Sequence, residues 1–163
     1  MTDRFPCRRI DMSYFDTAPI RFTNSIEINA TPQKIFDVFE DPESWPVWAT
    51  VINKVTWTSP RPFGIGTTRT VDTQGNIIGH EEFIAWEHGK RMAFRFNESS
   101  KPGTDAFGED YIVEPTANGC RVTWTVAMSP TGAGRFVMPI FKPVMKMVFG
   151  RFLKNLKKYA EKP

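Results

Sequence analysis

The sequence has two cysteines, two histidines and no apolar run that reaches the ~18 residues a membrane-spanning helix needs. Cys7 and Cys120 are too few to staple a chain of 163 residues, so a reduced, cytoplasmic protein is expected. His80 and His88 are placed on a strand and in a turn, and no Cys-x-x-Cys or His-Glu-x-x-His accompanies them, so no metal site is predicted. Gly64 and Gly66 lack the third glycine of a dinucleotide fingerprint and precede a strand; with no phosphate-binding loop elsewhere, no cofactor is expected. A net charge of +3 comes without a strong basic stripe interleaved with aromatics, which argues against nucleic acid as a partner. Met1 to Phe15 carries Asp3, Arg4, Arg8, Arg9 and Asp11 with no apolar stretch behind them, unlike a secretory leader.

What is present is a globular composition, 40% hydrophobic and 24% charged, in a length that suits one domain. Residues 1–20 lack periodicity but contain Phe5, Ile10, Met12, Tyr14 and Phe15, which reads as an arm lying on the domain formed by residues 21–163. Arg21 to Asn29 alternates, with Phe22, Ile26 and Ile28 on one face of a strand. Thr31 and Pro32 open a short helix through cap and first-position preferences, and Asp41 with Pro42 predicts a second start, limited by Pro46. Strands then follow at Val51–Thr58, Thr67–Thr73, Ile77–Glu87, Arg91–Asn97, Ala106–Glu114 and Cys120–Met128, joined by short turns, which is the pattern of an antiparallel meander. In the last segment Phe141, Met145, Val148, Phe152, Leu156 and Tyr159 form one helical stripe, with regular helix expected from about Pro143. The predicted class is α+β: a curved antiparallel sheet of six to seven strands wrapped around a long C-terminal helix, with two short helices after the first strand.

Five segments carry a resemblance to a known superfamily: SIEINATPQKIF at Ser25–Phe36, DPESWPVW at Asp41–Trp48, GIGT at Gly64–Thr67, GCRVTW at Gly119–Trp124 and LKKYAE at Leu156–Glu161. Together they resemble the SRPBCC superfamily, also called START-like or helix-grip proteins, and within it the polyketide cyclase/dehydrase and lipid transport branch. The resemblance implies a helix-grip fold with an internal cavity for a hydrophobic ligand. It leaves the activity open, because that superfamily includes carriers, receptors and a few cyclases.

The polar residues on buried faces are the informative ones. Glu109 is in phase with Tyr111 and Val113, and Arg69 with Val71, so the two charges are expected to face inward and to meet across a cavity or hold a polar ligand end. The alternative is that they are solvated at the sheet rim. For the strand Ile77–Glu87, alternation sets His80 and Glu82 against Glu81 and Phe83 without saying which pair is inward. Trp45, Trp48, Phe94, Phe96, Trp124, Phe141, Met145 and Phe149 are candidates for lining a pocket, with Tyr111 beside Glu109. Besides an interaction or stress-response module with a vestigial pocket, two functions follow. One is a carrier or sensor of a lipid, isoprenoid or polyketide-like molecule. The other is a cyclase or dehydratase using a cavity acid, with Glu109, Arg69 and His80 as the candidate catalytic set. The ligand is the expected partner of a monomer or homodimer. Lysines off the helical stripe leave transient contact with an anionic membrane open.

Overall fold

A computed structural model describes residues 3–163. The elements are β1 (Phe5–Pro6), α1 (Tyr14–Thr17), β2 (Ile20–Ile28), α2 (Pro32–Glu40), α3 (Trp45–Trp48), β3 (Ile52–Trp57), β4 (Thr68–Thr73), β5 (Ile77–Glu87), β6 (Arg91–Ser99), β7 (Thr104–Thr116), β8 (Gly119–Pro130) and α4 (Gly134–Ala160). All strand pairings are antiparallel. The main sheet runs β2-β8-β7-β6-β5-β4-β3, a meander closed by the return of β2 beside β8, and two-residue β1 adds to β6. The arrangement is the α+β helix-grip type expected: the sheet curls around α4, with α2 and α3 closing one end.

Local sequence accounts for the helix starts. The Lys34 N–H donates to Thr31 Oγ1 at 3.1 Å, and Pro32 takes a first-turn position of α2 where no N–H is required. Residues 42–44 form a turn and not the start of a second helix as expected. Asp41 closes that turn by accepting the Glu43 N–H at 3.0 Å, and buried Ser44 donates to the Val38 carbonyl at 2.5 Å. Pro46 therefore sits in the first turn of α3, where it is tolerated, and does not terminate the helix.

A second correction concerns α4, which begins at Gly134 and carries both Pro139 and Pro143 inside it. Each proline deprives a carbonyl one turn back of its donor. Those carbonyls belong to Arg135 and Pro139, both exposed, so water can reach them.

The concave face of the sheet holds the main core: Phe22, Ile28, Val71, Phe83, Phe94, Tyr111, Val113 and Val122 face Phe152, Leu153 and Leu156 of α4, with Ile35, Phe36, Phe39, Trp45 and Trp48 sealing the end. The convex face carries a second cluster in which Ile10, Tyr14 and Phe15 of the N-terminal segment cover Ala93, Ala106 and Ala127. The close approach needs Gly108, where a Cβ would stand 2.7 Å from Ile10 Cδ1 and 2.9 Å from the Phe94 carbonyl oxygen. Glu82, on this outer face, accepts from Asn97 Nδ2 at 2.7 Å and Arg95 Nη2 at 3.2 Å and lies 3.3 Å from Arg9 Nη1.

Candidate functional site

Between α4 and the sheet lies a cavity of about 320 Å³. Its walls come from Phe94 and Phe96 (β6), Phe107 and Tyr111 (β7), Trp124 and Met128 (β8), Met145, Phe149 and Phe152 (α4), with Val51, Ile52 and Ile77. Gly79 makes room for one wall: a Cβ there would lie 2.5 Å from the Phe96 ring. A larger outer cleft of about 480 Å³, lined by Pro19, Asp105, Pro130, Arg135 and Pro139 among others, contains no buried charged residue.

Three charged residues line the inner cavity: Arg69 (β4), Glu81 (β5) and Glu109 (β7). The β4–β5 hairpin sets Arg69 directly opposite Glu81, and Arg69 Nε donates to Glu81 Oε2 at 2.5 Å. Arg69 is 1% exposed. Its guanidinium carbon lies 4.2 Å from the Trp45 ring centroid, 4.7 Å from Phe94, 5.1 Å from Phe83 and 5.4 Å from Trp57, so ring quadrupoles replace part of the lost hydration. The buried Nη1 has no hydrogen-bond partner. An unmet donor of this kind costs about 1–3 kcal/mol, more when charged, unless something supplies an acceptor.

Glu109 does not meet Arg69 in an ion pair, as one sequence expectation had it. Its Oε2 accepts from Tyr111 Oη at 2.7 Å and from Trp124 Nε1 at 2.9 Å. Tyr111 and Trp124 are cross-strand neighbours, stacked at 5.4 Å with 13° between their planes. Burial raises the Glu109 carboxyl to about 7; the Tyr111 bond opposes that rise, the negative field of Glu81 adds to it, and Arg69 and Trp124 draw it back. Burial likewise raises Glu81, with Arg69 opposing, and burial with the nearby Glu109 carboxylate pushes the Tyr111 phenol well up. The arrangement can hold a partly protonated carboxyl near neutral pH on the same wall as the Arg69–Glu81 pair, with the rest of the lining mostly apolar.

Of the other predicted residues, Phe94, Phe96, Tyr111, Trp124, Met145 and Phe149 lie on the cavity wall. Trp48 is fully buried within the aromatic cluster, its ring 4.7 Å from Trp45 and 6.3 Å from Trp124, and Trp45 takes the wall position instead. Phe141 is 53% exposed and lies off the cavity. His80 is on the outer face, 3.4 Å from Thr70 Oγ1, because Glu81 and Phe83 take the inward positions of β5; it cannot act in the cavity. Glu81 was missed as a site residue. The signal was available: a Gln74–Asn76 loop between paired Thr73 and Ile77 fixes a register that places Arg69 across from Glu81.

A curled sheet gripping one long helix over an apolar cavity defines a helix-grip protein. Residues 19–161 match the family described as polyketide cyclase / dehydrase and lipid transport, and the chain belongs to that family, within the SRPBCC superfamily. Uncharacterized proteins of Mycobacterium bovis and Mycobacterium tuberculosis are 50% identical to it over 157 residues, covering 96% of this chain and 94% of theirs. Among solved structures, a Thermus thermophilus protein superposes with a TM-score of 0.71 at 18% identity, over 86% of this chain and 97% of that one. A START superfamily protein of Mycobacterium smegmatis gives 0.67 at 13% identity over the same shares. Likenesses at such identities concern the fold alone. No helix among the described residues is long and apolar enough to cross a membrane, and no group of three or more potential metal-binding side chains occurs among them.

Proposed function

We propose that the protein binds a hydrophobic small molecule, of lipid, isoprenoid or polyketide-like character, as a carrier or sensor, with an oxygen acceptor at the end that reaches Arg69. The observation that carries this reading is the pairing of an apolar cavity with one buried, unpartnered guanidinium nitrogen. An apolar wall supplies affinity without direction, and a single polar group orients the ligand. Residues 1–20 serve in this reading as an arm that braces the convex face of a 21–163 ligand-binding domain. Buried, unpaired Cys7 and Cys120 support a reducing, cytoplasmic setting, with the protein as a monomer or homodimer. Native mass spectrometry of protein purified from its own host, followed by extraction, should give a stoichiometric adduct with an apolar body and an oxygen function. Protein that emerges empty, and that takes up no apolar fluorophore while folded, would sink the reading.

A second reading rests on Glu109. A carboxyl poised at about 7 in a cavity suits a general acid for cyclisation or dehydration. Glu109→Gln keeps an acceptor for Tyr111 and Trp124 and removes the proton. Turnover lost with binding kept would favour the enzyme. Binding and ligand unchanged, with no turnover in either form, favours the carrier.

A further inference from the structure

We infer that the first half of α4 is an interfacial docking surface for an anionic phospholipid membrane, next along the helix to the residues that line the cavity. The observation is an apolar face left in solvent. Phe136 is 76% exposed, Ile140 75% and Met147 69%, with Val137, Phe141 and Val144 beside them; these six are more than half of the large hydrophobic residues exposed among the described residues. Soluble proteins scatter such residues singly, and a contiguous group on one helix marks a contact surface.

Charge complementarity identifies the occupant. From Gly134 to Ala160 there is no Asp or Glu, while Arg135, Lys142, Lys146, Arg151, Lys154, Lys157 and Lys158 are all basic. Phe136, Ile140, Met147, Lys154 and Lys158 follow one another at helical intervals of four and seven, so they lie along one line. That line is apolar over the early turns and cationic over the later ones. An amphipathic segment of this composition seats its apolar side chains at the headgroup boundary and its lysines against anionic headgroups. A second copy of the chain is the poorer fit, because a symmetric contact through this face would set two acid-free, basic helices against each other.

Position links the surface to the cavity. Met145 and Phe149 line the cavity about one turn beyond Phe141 and Val144, and partly exposed Val51 and Ile77 line it too. A ligand leaving past Met145 would therefore meet the docked face and not bulk water. Docking through this face does not require a particular occupant of the cavity.

Co-sedimentation with phosphatidylcholine vesicles containing about 30% phosphatidylglycerol tests it. The full-length protein should associate with these vesicles, weakly or not at all with pure phosphatidylcholine, and less as salt rises. Phe136→Ser with Ile140→Ser should weaken association at least about tenfold. Lys154→Gln with Lys158→Gln should weaken it about ten- to thirtyfold. Both pairs are at exposed positions, and unchanged thermal midpoints would show that the fold is intact. Three outcomes would overturn the inference: no association with anionic vesicles, association that ignores both double variants, or a dimer in sedimentation that the Phe136/Ile140 variant dissolves while vesicles are not bound. Ligand detection by mass spectrometry is read separately, so an empty cavity and a failed docking surface are distinguishable.

Discussion

The two halves of α4 share one stripe of apolar residues and behave differently. In the second half, Phe152, Leu153, Leu156 and Ala160 are buried. This half runs alongside β2: Phe149 meets the Phe22 ring edge-on at 5.3 Å, Lys157 Nζ donates to the Glu27 carbonyl at 3.0 Å, and Glu161 accepts the Asn29 N–H at 2.7 Å. The first half is held less: Met138 packs against the main core and Arg135 and Pro139 border a cleft with Ile20 and Pro130, but Phe136, Ile140, Phe141 and Met147 stay exposed. It also begins without a side-chain cap, has no acid in its first turn and contains two prolines. Periodicity alone therefore says which residues share a face, and the elements packed alongside decide which of them are covered.

The largest effect should come from the charges under the closed half. Arg69→Met would leave Glu81 buried without its partner and should lower stability by about 3–5 kcal/mol, read as a fall in the urea midpoint. Adding Glu81→Leu should restore most of the loss, because a buried pair replaced by apolar groups is often neutral. If the double variant is as unstable as the single one, the guanidinium matters through its four aromatic contacts more than through Glu81.

Next is Phe152→Ala. Phenylalanine truncation in a core costs about 3–5 kcal/mol, and the lower end is expected here because one side of Phe152 already borders empty space. Equal sensitivity at Phe152 and Phe141 would erase the contrast between the halves.

The pattern of the chain made most of this fold legible. Alternation placed Phe22, Tyr111, Val113 and Glu109 on the inner face, and the strand spacings reproduced the meander, because one buried face per strand leaves a period-two signature. The candidate site was half legible. Arg69 and Glu109 were found through phase, but their partners were not: ion pairing depends on cross-strand register, and register needed the β4–β5 loop length, which assigns Glu81 to Arg69. The inward face of β5 was ambiguous because Glu81 and Glu82 are chemically alike. The exposure of Phe141 was hidden because it shares the stripe of Met145 and Phe152, and a stripe does not say where along a helix the covering elements stop.

A smaller, pH-dependent effect belongs to Glu109. Its carboxyl titrates near 7 in the folded protein against 4.5 ordinarily, so the native state holds a proton that the unfolded chain has released. Its stabilising contribution is complete below about pH 4.5 and is lost as pH rises through about 7, for a total of at most about 3–4 kcal/mol. Other groups titrate too, and the difference between wild type and Glu109→Gln isolates this one. That difference should move in favour of the variant from pH 5 to pH 8. A flat difference would mean that water in the cavity solvates the carboxylate.

The smallest effect is expected at Phe141. It stands on the sequence stripe with Met145 and Phe152, so a helix packed along its whole length would bury it, and Phe141→Ser would then cost several kcal/mol. At 53% exposure the side chain has only about half of its surface to give up on truncation to a polar residue, and the change should stay at about 1 kcal/mol. Serine also has a lower helix propensity than leucine or alanine but one close to that of phenylalanine, so propensity adds nothing that would mask the result. Urea unfolding of Phe141→Ser beside Phe152→Ala, under identical conditions, therefore measures how far along α4 the grip of the sheet extends. A loss above about 1.5 kcal/mol at Phe141 would mean that the first half closes onto the sheet in solution, and that the apolar face is covered by the protein itself.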